Sequence, residues 1–302
     1  MARGSRWRHS TAPSGGLLLW KPVGITSRDA LEQVEKTLGF GPLGHTGTLD
    51  PLASGLLLLL GGEGRKFQSL LTGHDKVYQA TVELGVLSGS EDGEGPLHSR
   101  WPRPSMPTGS ELEGALDLFR GGYLQTPPVR SAIRISGERS WRREQAGAPL
   151  TPPAREVRID SIEVESFRPP RVELEVACGS GTYVRSLARD IGAELGSGGY
   201  LAGLSRVSLG VHQQQASIPL AEVDGECWLS LEALLEKEPR VEVTSEVAER
   251  LGHGQVVPVE GEGERSDAHG DRVVWSEGKV VGLIRLDGPL LRPARWLNPD
   301  PV

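Results

Sequence analysis

The sequence predicts an α+β protein: a mixed central sheet with flanking helices, followed by a small C-terminal β-barrel. Three observations carry this reading. Strand-like runs and amphipathic helical stretches follow one another without the βαβ rhythm of a parallel sheet. Residues 244–302 hold only short β-like pieces between Gly-rich turns. Charge divides near the same place: residues 1–220 carry 24 basic and 23 acidic side chains, whereas residues 221–302 carry 9 and 17.

Residues 1–14 read as a flexible basic arm bearing Arg3, Arg6 and Arg8. Gly16–Trp20 is a Leu-rich run ending at Lys21-Pro22 and reads as a buried strand. Thr26 or Ser27 can cap a helix over Arg28–Lys36, which places Ala30, Leu31 and Val34 on one face. Gly41–Gly55 is a Gly/Pro-rich loop, and Leu56–Leu60 is a second buried strand closed by Gly61-Gly62. Lys76–Leu84 alternates, with Tyr78, Ala80, Val82 and Leu84 on its apolar face. Gly93–Gly109 is a connector, and Ser110 with Glu113 forms a capping box for a helix through Phe119. Val157–Phe167 and Val172–Cys178 read as strands. Thr182–Leu195 is a helix, with Val184, Leu187, Ala188, Ile191 and Leu195 at helical spacing. Leu231–Glu236, capped by Ser230, is a short helix in a hinge over 226–243. The terminal barrel is expected from Val256–Val259, Arg272–Trp275, Val280–Leu286 and Arg295–Leu297.

The net charge of −7 argues at first against a nucleic-acid partner. The acidity belongs to the C-terminal part, however, and Phe119–Arg143 holds six arginines against one acid, Glu138. A polyanion partner is therefore not excluded. The two cysteines, Cys178 and Cys227, are far apart and belong to no CxxC or Cys/His pair. That argues against a structural zinc site and against a disulfide scaffold, so a reducing cytosol is expected. Leu17–Trp20 is too short for a signal h-region. Leu56–Leu60 is too short to span a bilayer, and no membrane partner is expected.

The densest motif is Gly44-His45-Thr46-Gly47-Thr48-Leu49-Asp50-Pro51-Leu52-Ala53-Ser54-Gly55. Pro51 restricts Asp50 away from the α region. Such a loop can present one carboxylate at a fixed angle, as a nucleophile or base requires. It can equally be an Asx turn. No Gly-Lys-Ser/Thr follows, so it is not a phosphate-binding P-loop. Lys76-Val77-Tyr78 reads by pattern as a strand with a core tyrosine. Cys178–Arg185 takes a strand through a Gly-rich turn into a helix, whose first N–H groups suit an anion. Arg185 lies in that first turn, where the helix dipole favours an acid. It reads either as a solvated side chain or as the partner of a specific anion.

Together these blocks resemble the TruB family of tRNA pseudouridine synthases. The match runs in order over Gly16–Leu209: Gly16–Gly24, the His45–Gly55 loop, Lys76–Tyr78, Gln125-Thr126-Pro127-Pro128-Val129-Arg130-Ser131-Ala132, Gly181–Arg185 and Leu204-Ser205-Arg206. The resemblance makes 15–225 the catalytic domain, with 119–147 an Arg-rich RNA-gripping segment. It makes 226–243 a linker helix and 244–302, more weakly, a PUA-like RNA-binding domain. The activity implied is isomerisation of uridine at position 55, in the TΨC loop of tRNA. The base flips out, the C1′–N1 bond breaks and C5 re-attaches, with no cofactor or metal. A cytoplasmic monomer needing no protein partner is implied.

The family's catalytic aspartate falls on Asp50, which attacks C1′ or removes a C2′ proton. Its active-site tyrosine falls on Tyr78, which stacks on uracil and reaches C5. Arg185 matches the arginine paired with the aspartate, an arrangement that fixes the carboxylate's direction. Tyr183 and Leu204 match pocket-lining positions, and His45 matches a histidine that holds the distorted RNA loop. Arg130, Arg134, Arg142 and Arg143 are assigned to phosphates, and Lys21 to the pocket edge. Two departures stand out. Trp20 replaces an acid before Lys-Pro. Gly89, in Ser88-Gly89-Ser90, replaces an Asp, so the acid behind Arg185 must come from Glu91 or Asp92. The alternatives are a guide-RNA-dependent synthase subunit and a non-catalytic tRNA-binding or chaperone protein. A glycoside hydrolase would normally need two carboxylates, and the motifs supply only Asp50.

Overall fold

The computed structural model describes residues 11–99, 106–131, 133–135, 138–148, 150–258 and 269–298. The first ten residues, with Arg3, Arg6 and Arg8, lie outside that set, as does the side chain of Arg134. Strands β1 (Gly15–Lys21) and β2 (Ala53–Gly61) pair antiparallel, with Leu17 opposite Leu59 and Leu19 opposite Leu57. Their leucine runs are unbroken because both faces are covered. Leu17, Leu19, Leu57 and Leu59 face the main core beneath helix α1 (Ser27–Leu38). Leu18, Leu56, Leu58 and Leu60 face a second core. Strand β3 (Lys76–Leu84) alternates because only one of its faces is fully buried, the face bearing Tyr78, Ala80, Val82 and Leu84.

The sheet continues through β4 (Gly121–Gln125), β5 (Arg155–Arg168), β6 (Arg171–Cys178) and β7 (Gly199–Leu209). The order is β1-β2-β7-β3-β6-β5-β4, and short added strands, Gly44–His45 and Ile218–Pro219 among them, bring the total to eleven. β7 runs parallel to β2 and antiparallel to β3, so the sheet is mixed, as expected. That central placement of β7 brings the Asp50 loop, which precedes β2, beside Tyr78 on β3.

Helix α1 is capped by Thr26 in a capping box with Asp29 and ends at Gly39, whose φ of 74° is left-handed. A 3-10 turn, Gly62–Phe67, leads into helix α2 (Gln68–Thr72). Helix α3 (Gly109–Asp117) starts two residues earlier than its expected cap: Thr108 and Glu111 form the box, not Ser110 and Glu113. Both pairs have the same spacing, which is why the pattern alone did not separate them. Helix α4 (Ser140–Gln145) carries Arg142 and Arg143. Helix α5 (Val184–Glu194) buries Val184, Arg185, Leu187, Ala188 and Ile191.

The C-terminal part contains β8 (Arg240–Glu242), β9 (Val257–Pro258), β10 (His269–Ser276), β11 (Lys279–Asp287) and β12 (Leu290–Trp296). The short β pieces expected in this region join in one sheet. Among the described residues these strands pair as an open five-stranded sheet, β8-β10-β11-β12-β9, with β8 and β9 at the edges. Helices α6 (Leu231–Leu235) and α7 (Ser245–Gly252) flank it. α7 escaped the period-two reading of this region, although Thr244 caps it and Leu251 anchors it.

The expected linker segment 226–243 is packed through its helix. Leu231, Leu234 and Leu235 of α6 fill the second core together with Leu18 and Leu58 of the large sheet and Val273 and Leu283 of the small one. Lys66 Nζ donates to Trp296 O at 2.7 Å, and Asn298 N donates to Glu63 Oε2 at 2.7 Å. The end of the expected arm is docked as well, since Thr11 N donates to Gly41 O at 2.8 Å and Glu63 N to Ser14 Oγ at 3.1 Å.

Candidate active site

The Asp50 loop is pinned from four directions. Ser27 Oγ, at the start of α1, accepts from Leu49 N at 2.8 Å and donates to Leu49 O at 2.9 Å. Gly24 N donates to Pro51 O at 2.7 Å, and Thr46 N donates to Leu58 O at 3.0 Å. Arg206 Nη2, from β7, donates to Gly47 O at 3.2 Å. Gly47 has a φ of 90°, a conformation that favours glycine. Ala53 N closes the turn on Asp50 O at 3.0 Å, through the backbone. The Asp50 carboxylate is therefore not spent on an Asx turn. It is about one-third exposed and lies 2.8 Å from Arg185 Nε, which is not aimed at it in a linear hydrogen bond.

Arg185 is 5% exposed and ties four segments together. Its Nη2 donates to Arg130 O at 2.9 Å and its Nη1 to Ser90 O at 3.2 Å. Nη1 also lies 3.4 Å from Asp92 Oδ2, a carboxylate that is itself wholly buried. Ser90 Oγ donates to Asp92 Oδ1 at 2.5 Å, and Glu94 N to the same oxygen at 3.1 Å. The acid behind Arg185 is thus Asp92, so Gly89 leaves no gap. Glu91 serves elsewhere: it accepts from Ser186 Oγ at 2.7 Å and pairs with Arg189. Burial pushes the Glu91 carboxyl up despite Arg189 and the Ser186 hydroxyl.

Tyr78 is buried, and that burial pushes its phenol up, while the Arg206 guanidinium beside it pulls the other way. Both residues line a cleft of about 1080 Å³ that also holds Asp50, Arg185, Tyr183 and Leu204. Eight cations line this cleft among the described residues, against one acid, Asp50. Lys76 and Arg206 come from β3 and β7, and Arg130 and Arg155 from the segment around β4 and the start of β5. Arg65 and Lys66 come from the 3-10 turn, and Arg295 comes from β12 of the C-terminal sheet. Tyr183 caps α5 by its backbone, with Arg155 stacked 5.2 Å from its ring centroid. Burial pushes the Tyr183 phenol up too.

The other expected site residues fall differently. Lys21 is wholly buried behind the cleft lining, near enough to Asp50 for that carboxylate to act on its charge, and its Nζ donates to Pro22 O at 2.7 Å and to Ile25 O at 2.8 Å. It braces the turn into α1, and desolvation lowers it to about 8. His45 flanks the Asp50 loop rather than lining the cleft. Burial, with Arg206 and Arg28 nearby, pushes the His45 imidazole down. Arg130 lines the cleft and lies 3.8 Å from Glu94. Arg142 is exposed and Arg143 lies 3.5 Å from Glu138, and neither reaches the cleft. Arg134 sits on a two-residue strand, with its side chain outside the described set.

Sequence reasoning assigned no task to Lys76, Arg155, Arg206, Arg65, Lys66 or Arg295. Arg206 left a readable signal, a lone cation in the otherwise uncharged run Leu201–Leu209. The rest are brought together only by folding. Among the described residues no cluster of three or more His, Cys, Asp or Glu is placed to hold a metal ion, and no helix is long and apolar enough to cross a membrane.

One carboxylate held by a buried arginine, with a phenol beside it in a cation-lined cleft, defines an enzyme built for a polyanionic substrate. Residues 35–184 match the model of the TruB family pseudouridylate synthase (N terminal domain). A protein of Ralstonia pickettii (strain 12J) called tRNA pseudouridine synthase B is 36% identical over 301 residues, 94% of each chain. One of Dechloromonas aromatica (strain RCB) with that name is 37% identical over 292 residues, covering 94% of this chain and 95% of the other. The fold is also similar to that of a Cbf5-Nop10-Gar1 complex, with a TM-score of 0.71 at 20% identity, over 98% of this chain and 90% of that one. The chain belongs to the TruB family of pseudouridylate synthases.

Proposed function

We propose that the protein converts uridine 55, in the TΨC loop of tRNA, to pseudouridine. The observation that carries this is the single carboxylate, Asp50, set 2.8 Å from buried Arg185 in a cleft whose other charged lining residues are all cations. The target uridine leaves its stack and enters the cleft, at a cost of about a few kcal/mol that phosphate contacts offset. Asp50 acts at the ribose, by adding to C1′ or taking the C2′ proton, and the C1′–N1 bond breaks. Tyr78 and Tyr183 flank the freed uracil while it turns, and Leu204 closes the pocket against it. Tyr78 lies at C5, where the last proton leaves.

The C-terminal sheet acts as a PUA-like RNA-binding module, a reading supported by Arg295 in the cleft wall. The enzyme works in the cytoplasm as a monomer, without guide RNA or protein partner. The test is a site-resolved pseudouridine map of an unmodified tRNA transcript treated with this protein alone. Pseudouridine at position 55 is expected, and no turnover without added guide or partner sinks the proposal.

Two further results follow from the cations. Affinity for tRNA falls steeply with salt, and Arg155→Ala or Arg295→Ala each reduces the log–log slope by about 1. Arg142→Ala and Arg143→Ala, outside the cleft, flatten it less. An unchanged slope in the cleft variants removes those residues from the phosphate contacts. Lys76 is held down to about 8 by burial and by Arg206. Its charge is present at pH 7 and mostly lost by pH 9, so tRNA binding weakens across that interval. In Lys76→Met this component of the pH dependence disappears; a variant with the parental dependence refutes the assignment.

A further inference from the structure

Arg206 is the largest of the wholly buried side chains, and among the described residues no carboxylate pairs with it. A buried guanidinium without a counter-ion is costly unless its donors are satisfied. Its Nε donates to Leu56 O on β2 at 2.7 Å, and its Nη2 to Gly47 O in the Asp50 loop at 3.2 Å. Its remaining face meets Tyr78. The two residues are direct register partners across β7 and β3, so their side chains leave the same face of the sheet. Two glycines make room for it. A Cβ at Gly47 would lie 3.3 Å from Arg206 Nη1, and one at Gly55, whose φ is 118°, would lie 2.4 Å from Arg206 O.

We infer that Arg206 is a positioning residue for the isomerisation: it holds the Tyr78 phenol in fixed relation to the Asp50 loop and supplies the positive charge that favours its phenolate. This rests on the proposed reading that Tyr78 works at C5. In that step the phenolate oxygen takes the C5 proton, the C5–H electron pair forms the C5=C6 double bond, and the N1=C6 pair moves onto N1, which takes a proton from solvent. Three ionisable groups face the phenol: Asp50 from its loop, Cys178 from β6 and Arg206 from β7. Asp50 opposes a phenolate. Burial pushes the Cys178 thiol up to about 11, so it stays neutral, and were it ionised its negative charge would oppose a phenolate. Arg206 alone among the three favours the phenolate, and its hold on Gly47 O couples that charge to the loop that carries the carboxylate.

The experiment compares the protein with Arg206→Lys and Arg206→Gln on a tRNA transcript carrying 5-deuteriouridine, under single-turnover conditions. Arg206→Lys keeps the charge and loses the fork that reaches Leu56 O, Gly47 O and the phenol together. Its rate is expected to fall about 10- to 100-fold, with tRNA affinity unchanged. The deuterium isotope effect at C5 is expected to rise at least about twofold, because proton removal becomes slow. Arg206→Gln is expected to show the larger effect on both, and if it does not fold, the Lys variant decides alone. A purely structural role lowers the rate without raising the isotope effect. That result, or an unchanged rate, overturns the inference. Full activity in Tyr78→Phe instead overturns the proposed role of Tyr78 itself.

Discussion

Asp50→Asn is expected to abolish tritium release from C5-labelled uridine in tRNA while tRNA binding stays within about tenfold. The amide keeps the shape of the side chain but can neither add to C1′ nor take a proton from C2′. The fold should tolerate it. Asp50 is about one-third exposed, and Arg185 retains Asp92 and the carbonyls of Ser90 and Arg130 when the Asp50 charge is removed. Loss of activity with intact binding and an unchanged melting temperature is the signature. An active Asp50→Asn protein would refute the role given to this carboxylate.

Arg185→Met is expected to lose both stability and rate. Removing the cation leaves buried Asp92 with only Ser90 Oγ and Glu94 N as donors among the described residues. Stranding one partner of a buried pair costs about 3–5 kcal/mol, which denaturant unfolding reads directly. Arg185→Lys separates charge from geometry. A single ammonium cannot reach Asp50, Asp92, Ser90 O and Arg130 O together. The Lys variant should unfold at only slightly lower denaturant, yet its single-turnover rate should fall about 100-fold because the carboxylate is no longer aimed. A Lys variant at the parental rate would mean that charge alone suffices at this position.

Several local features were legible before any coordinates. The alternation of Lys76–Leu84 placed Tyr78 on the buried face, and that strand has the expected bounds. The spacing of Val184, Leu187, Ala188 and Ile191 placed Arg185 in the first turn of a helix. The Leu runs of β1 and β2 were read as buried strands, and their burial on both faces explains why they do not alternate. Local pattern failed where two local solutions were equally good. Thr108 and Ser110 each begin a capping box of the same spacing, and α7 was hidden in a region dominated by period-two signals. The four residues Thr11–Ser14 were read as arm because nothing in their composition announces the hydrogen bonds from Thr11 and to Ser14.

The sequence by itself determined the Gly/Pro-framed loop around Asp50, the strand that carries Tyr78 and the helix that carries Arg185. Each rests on a repeat or turn signal spanning a few residues. Only the tertiary structure decided which charges meet. Arg185 reaches Ser90 O across 95 positions, and Arg206 reaches Leu56 O across 150. The same folding that puts Arg295 in the cleft wall buries Lys21 wholly, with its ammonium donating to Pro22 O and Ile25 O. The physical reason is range. Side-chain periodicity is set by the backbone of its own element, whereas a buried charge is placed by whatever donor or acceptor the sheet order brings alongside. Here the insertion of β7 between β2 and β3 makes that choice. It turns a chain with a net charge of −7 into one whose central cleft is strongly positive.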